Sequence, residues 1–183
     1  MGRATHRQVV IGDASVALAW LLQEAAPAWV TAFWDAVADG RVGVTVPTFF
    51  WLEIGNRLIR RVDMAGEQVL AAIVRMEDLG FQSIDMDRSL RLMAIHLAQR
   101  FRLSTYDALY LALADTSDLP LATLDGRLGA AAAALGRRYG DAPGSAIGET
   151  PVSYGTDRAA DPTSLATLGA YLAELRQEIT AVG

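Results

Sequence analysis

The stretch Val9-Val10-Ile11-Gly12-Asp13-Ala14-Ser15 changes character at its centre. Three β-branched residues stop at Gly12-Asp13, and residues 14–22 then take on a helical composition, so the reading is a short strand leading directly into a helix. The same alternation continues outward. Residues 27–39 open with Pro27 and end before Gly40, the expected punctuation of a helix. A second strand is expected at 42–46, followed by a helix that begins at Pro47 and runs through Arg61 and another at 66–79 that stops at Gly80. Residues 81–86 alternate as a strand would. Asp87 can cap a helix over 88–102 and Ser104 one running to about 116, while 119–124 form a fourth strand candidate. Asp125-Gly126 then turns the chain into an Ala-rich helix ending near Gly136. Strands alternating with helices imply an α/β fold, with a central parallel sheet covered on both faces.

This unit occupies 1–140 of 183 residues. Residues 141–163 are dominated by Gly, Pro, Ser, Thr and Asp, the composition of a linker or arm. In 164–181, Leu165, Leu168, Leu172, Leu175 and Ile179 make a narrow apolar seam of an amphipathic helix. Two heptads do not stand alone in water, so that helix either folds back on its own domain or pairs with a second chain.

Composition removes several classes of chemistry. Apolar residues make up 52% and charged ones 20%, a globular balance, and the net charge of −5 is not that of a non-specific nucleic-acid binder. All basic residues are Arg, which excludes a phosphate-loop lysine and Schiff-base chemistry. Without Cys there is neither a disulfide framework nor a thiolate site, in keeping with a cytoplasmic home. The basic start with Arg3, His6 and Arg7 resembles a secretory leader only faintly, because Gly12 and Asp13 interrupt its apolar run; His6 also stands where myristoylation needs Ser or Thr. No stretch is long and apolar enough to span a membrane.

In a parallel α/β sheet, ligands gather beyond the carboxyl ends of the strands. Four acids stand at such places: Asp13 after the first strand, Glu53 early in the helix after the second, Asp107 at a helix start, and Asp125 after the fourth strand. Each has a plain structural reading. Asp13 and Asp125 suit helix N-caps, Ser104 to Asp107 has capping-box spacing, and Glu53 can pair with Arg57 on a polar stripe shared with Asn56 and Arg60. Taken together, oxygen-only ligands converging in a cleft suit Mg2+ or Mn2+ and metal-assisted phosphoryl chemistry. Without a cation, two carboxylates about 4 Å apart repel by about 4 kcal/mol at an effective dielectric of about 20. His6 and His96 are read as structural, and Asp85 and Asp87 have no evident partner.

Four blocks in order, VVIGDAS (9–15), PTFFWLEIGNRL (47–58), LSTYDALYLALA (103–114) and LATLD (121–125), resemble the PIN domain nucleases, and among them the VapC-type toxins of bacterial toxin–antitoxin pairs. Each block is weak alone, but the acids follow one another at 40, 54 and 18 residues. The resemblance covers about 9–140 and implies sheet order 3-2-1-4-5. It implies Asp13 and Asp107 as the principal Mg2+ ligands, with Glu53 and Asp125 completing the site directly or through water. Ser15 and Thr123 look like hydroxyl supports behind those ligands, or else ordinary capping and strand residues. The implied reaction is RNA hydrolysis with the ribose 3′ oxygen leaving in line. Arg57, Arg60 and Arg61 would hold flanking phosphates, with Arg100 and Arg102 as further candidates, unless they serve only surface ion pairs. The resemblance also implies homodimers and a cognate antitoxin that covers the groove. The chain departs from short family members in its tail beyond residue 140.

Two rival functions stand beside this one. The first is a catalytically silent α/β partner-binding module whose acids are helix caps and whose tail helix docks. The second, an aspartyl phosphatase, suffers because Asp13-Ala14-Ser15 lacks a second Asp and the chain lacks Lys.

Overall fold

The computed structural model describes residues 7–62 and 64–140. The expected arm at 141–163, the helix at 164–181, His6 and the side chain of Arg61 lie outside the described residues.

Two apolar strands form the middle of the sheet. β1 (Gln8–Gly12) runs parallel to β2 (Val42–Pro47), with Val10 opposite Val44, and every residue of β2 is buried. A strand covered on both faces needs such a continuous apolar run. β3 (Gln82–Ile84) pairs in parallel with the outer side of β2, and β4 (Leu121–Ala122) with the outer side of β1. The order is therefore β3-β2-β1-β4. The fifth position holds a single parallel bridge, Leu121 with Arg138, rather than a strand. There the chain has just left Gly136 at φ +68, the Arg137 side chain reaches back to Asp115 and Asp118, and Tyr139 packs its ring on Trp29 and Phe33.

The helices α1 (Ala14–Leu21), α2 (Ala28–Ala38), α3 (Phe50–Val62), α4 (Gly66–Asp78), α5 (Arg88–Phe101), α6 (Thr105–Thr116) and α7 (Gly126–Ala134) flank this sheet. Pro47 closes β2, pairing with Ile84, and does not open α3 as its sequence context suggests. Thr48 donates its N–H to Ile84 O at 3.1 Å, so the chain stays with the sheet for one more residue before the helix starts at Phe50. The middle of α6 is enclosed on every side: each residue from Ala108 to Ala114 is buried, as expected of a segment apolar all round. Trp34 of α2 stacks on Trp20 at 4.6 Å and donates its indole N–H to Val16 O, fastening α2 to α1.

One glycine is dictated by packing at the point where the site begins. A Cβ on Gly12 would stand 2.7 Å from Val44 Cγ1, so β1 can lie this close to β2 at its last residue only without a side chain. The next residue is Asp13.

Candidate active site

Asp13 occupies the N-cap position of α1, with extended backbone, but its carboxylate makes no capping bond. Its backbone N–H donates to Ala122 O at 3.0 Å, which ties it to the end of β4. Its Oδ2 instead accepts hydrogen bonds from Ser15 Oγ at 2.5 Å and Thr123 Oγ1 at 2.6 Å. Each hydroxyl is itself oriented: Ser15 Oγ accepts from Leu124 N at 2.9 Å and Thr123 Oγ1 from Asp125 N at 3.0 Å. A hydroxyl has one proton to give, so accepting from the backbone leaves that proton aimed at Asp13. Burial pushes the Asp13 carboxyl above its usual range; the two hydroxyl bonds oppose this, and the charge of Asp107 adds to it.

Asp107 and Glu53 are held on other elements. Asp107 lies in the first turn of α6, where Ser104 Oγ accepts from its N–H at 3.0 Å and donates to its Oδ2 at 2.7 Å. The expected cap thus forms through Ser104, and the carboxylate is held by the same hydroxyl. Glu53 lies in the first turn of α3, half-buried, and its Oε2 accepts from Tyr110 Oη at 3.0 Å. Burial raises the Glu53 carboxyl, and so do the charges of Asp13 and Asp107; the Tyr110 bond and the Arg57 guanidinium oppose them. The charge of Asp107 thus acts on both Asp13 and Glu53, and that of Asp13 on Glu53.

Tyr110 is a residue the sequence reading passed over. It is buried, and its phenol is pushed strongly upward by burial first and then by the charges of Glu53 and Asp13. A signal was present: Tyr110 follows Asp107 by three positions, hence shares its face of α6, and a buried phenol requires a partner.

The remaining candidates have other engagements. Asp125 is exposed, and its Oδ1 accepts from Arg127 N and Leu128 N, so its carboxylate caps α7; its backbone N–H is what orients Thr123. Asp87 likewise caps α5 through Leu90 N, which together with Ser89 holds its carboxyl below the usual range. Arg57 and Arg60 are exposed on α3 beyond Glu53. Arg100 lies over the ring of Phe101, Arg102 ends α5 at φ 54, and His96 is exposed on α5.

Among the described residues, no three His, Asp or Glu side chains are gathered closely enough to hold a metal ion as they stand. The donor set nevertheless suits a hard divalent cation. It consists of carboxylate oxygens, Asp13 is buried with neutral hydroxyls as its donors, and the charge of Asp107 raises the proton affinity of Asp13 and Glu53. Among the described residues no helix is long and apolar enough to cross a membrane.

No curated protein matches the chain. Among solved structures, the fold is similar to the crystal structure of PAE2754 from Pyrobaculum aerophilum, with TM-score 0.50 and 16% identity over 68% of this chain and 79% of that one. At that identity the likeness is one of fold. The family model of the PIN domain matches residues 10–134, from the first central strand through α7. The chain belongs to the PIN domain family, a family of nucleases.

Proposed function

We propose that the protein is an endoribonuclease dependent on Mg2+ or Mn2+, with Asp13 and Asp107 as the principal cation ligands. Glu53 completes the acidic site, and Asp125 contributes through water or by orienting Thr123. The observation that carries this reading is the buried Asp13 carboxylate just past β1, which accepts from Ser15 and Thr123 rather than capping α1, while the charge of Asp107 acts on it and both act on Glu53. A fold that only needed caps would have no use for it: the carboxylates of Asp87 and Asp125 cap, and that of Asp13 does not.

A bound divalent cation supplies water activation and neutralises charge on the scissile phosphate. The chain's own groups supply position. Ser15 and Thr123 hold one oxygen of Asp13, Ser104 holds one oxygen of Asp107, and Tyr110 holds one oxygen of Glu53. Arg57 and Arg60, with Arg61 beside them in the sequence, offer cationic contacts for phosphates on either side of a site that repels them. The reaction is hydrolysis of an RNA phosphodiester, the ribose 3′ oxygen leaving opposite the incoming water.

The order of the four sequence blocks supports a finer role, that of a VapC-type toxin acting in the cytoplasm. It would be held in check by a cognate antitoxin and would work as a homodimer. Thermal denaturation tests the shared core of the proposal: Mg2+ or Mn2+ raises the melting temperature of the wild type and leaves Asp13→Asn unmoved. A wild type that does not respond to either ion contradicts it.

A further inference from the structure

We infer that Tyr110 is a positioning residue for Glu53, and that it forms with Phe49 and Glu53 a clamp tying the first turn of α3 to α6. The inference rests on the nuclease reading of the acidic site and adds a residue to it. Three observations carry it. The first is the hydrogen bond from Tyr110 Oη to Glu53 Oε2 at 3.0 Å, made between residues 57 positions apart. The second is the ring of Phe49, which meets Tyr110 nearly edge-on at 5.1 Å. The third is that Phe49 O accepts the N–H of Glu53 at 3.0 Å, so the group that fixes the Tyr110 ring and the acid that Tyr110 fixes share one turn of backbone.

The geometry has a chemical consequence. Tyr110 is 1% exposed in a run of Ala and Leu, where Phe would fill the same volume at no polar cost. Its hydroxyl is therefore there to be used, and it is given to a carboxylate already repelled by Asp13 and Asp107. With Oε2 held by Tyr110, the orientation of the Glu53 carboxylate toward a cation or a water is fixed. Because Asp107 stands three positions before Tyr110 on the same helix face, the clamp also fixes the offset between Glu53 and Asp107. One helix thus contributes an acid of its own and the handle that aims another.

The test uses the full chain with Tyr110→Phe, Glu53→Ala and the double variant. The carboxyl carbon of Glu53 is followed by NMR in metal-free protein, and binding of Mn2+ alone by calorimetry. Tyr110→Phe keeps the ring and its packing on Phe49, so the protein stays folded and its melting temperature falls by no more than the loss of one hydrogen bond to a carboxylate explains. Its Glu53 carboxyl signal shifts, and its Mn2+ affinity falls by about tenfold, the scale of one hydrogen bond to a charged group. In the Glu53→Ala background the same change leaves Mn2+ affinity unaltered, because Tyr110 acts through Glu53. An unshifted carboxyl signal overturns the clamp. Unchanged Mn2+ affinity in Tyr110→Phe, or an equal loss in the Glu53→Ala background, overturns the positioning role. A wild type that binds no Mn2+ sinks the cation reading of the site instead, and the carboxyl signal then decides the clamp by itself.

Discussion

Thr123 Oγ1 donates to Asp13 Oδ2 at 2.6 Å across 110 positions of chain. The bond joins the ends of the adjacent parallel strands β1 and β4, and its donor is aimed by Asp125 N–H. The bond favours the charged form of a carboxylate that burial and the charge of Asp107 push toward protonation.

Thr123→Val removes that donor at constant shape. The buried Asp13 then loses one of its two side-chain donors, and the N–H of Asp125 loses its acceptor. We expect a loss of about 1.5–3 kcal/mol, the range for a hydrogen bond to a charged group, read by urea denaturation at neutral pH with EDTA present. A variant as stable as the wild type would show the bond to be incidental.

Asp13→Asn is expected to stabilise the metal-free protein. Ser15 and Thr123 both donate to a single oxygen, so an Asn carbonyl can take its place and keep both bonds. The folded Asp13 and Glu53 carboxyls lie above their unfolded values, so the stability each contributes is fully present below about pH 4 and is lost as pH rises through the raised folded value. The stability advantage of Asp13→Asn should accordingly widen from about pH 4 upward and level off once Asp13 is ionised. Parallel pH profiles for the two proteins in EDTA would contradict the assignment of an uncompensated charge to Asp13.

Gly12→Ala probes the packing under the site. The new methyl group would meet Val44 Cγ1 at 2.7 Å in a strand with no room to retreat. Overpacking of this kind costs about 1–3 kcal/mol, and the displacement falls on Asp13 next to it, so metal response and stability should decline together. Unaltered denaturation would mean that β1 and β2 separate freely.

Arg57→Ala and Arg60→Ala address the proposed phosphate contacts. Both residues are exposed, so melting temperature should hardly change. In the Asp13→Asn background, which is expected not to cleave, single-stranded RNA binding should weaken. Its salt dependence should become shallower by about one unit of slope for each lost phosphate contact. An unchanged slope would return these residues to the surface.

The two central strands were legible because they are short runs rich in β-branched residues ended by Gly or Pro, and the parallel order followed from the alternation of strands with helices; β3 and β4, Gln-Ser-Ile and Leu-Ala, are shorter than the expected 81–86 and 119–124. Local pattern gave less at the strand ends. Pro47 has the composition of a helix start, yet the hydrogen bond from Thr48 N–H to Ile84 O keeps the chain on the sheet. Asp13 and Asp125 illustrate the limit of reading the site. Both are Asp residues after a strand, both have extended backbone, and both stand at an N-cap. What separates them is Thr123, whose hydroxyl points to one carboxylate while its oxygen is held by the backbone of the other residue, a relation that spacing alone does not encode. Tyr110 was hidden for a related reason: in a helix of Ala and Leu it reads as core, and its partner is on another element.

The most direct test is digestion of single-stranded RNA by the purified chain and by Asp13→Asn, each with Mg2+ and with excess EDTA. Cleavage should occur only with the wild type in Mg2+ and should be absent from the other three reactions. Equal cleavage by Asp13→Asn, or cleavage that persists in EDTA, would contradict a nuclease centred on Asp13, Asp107 and Glu53.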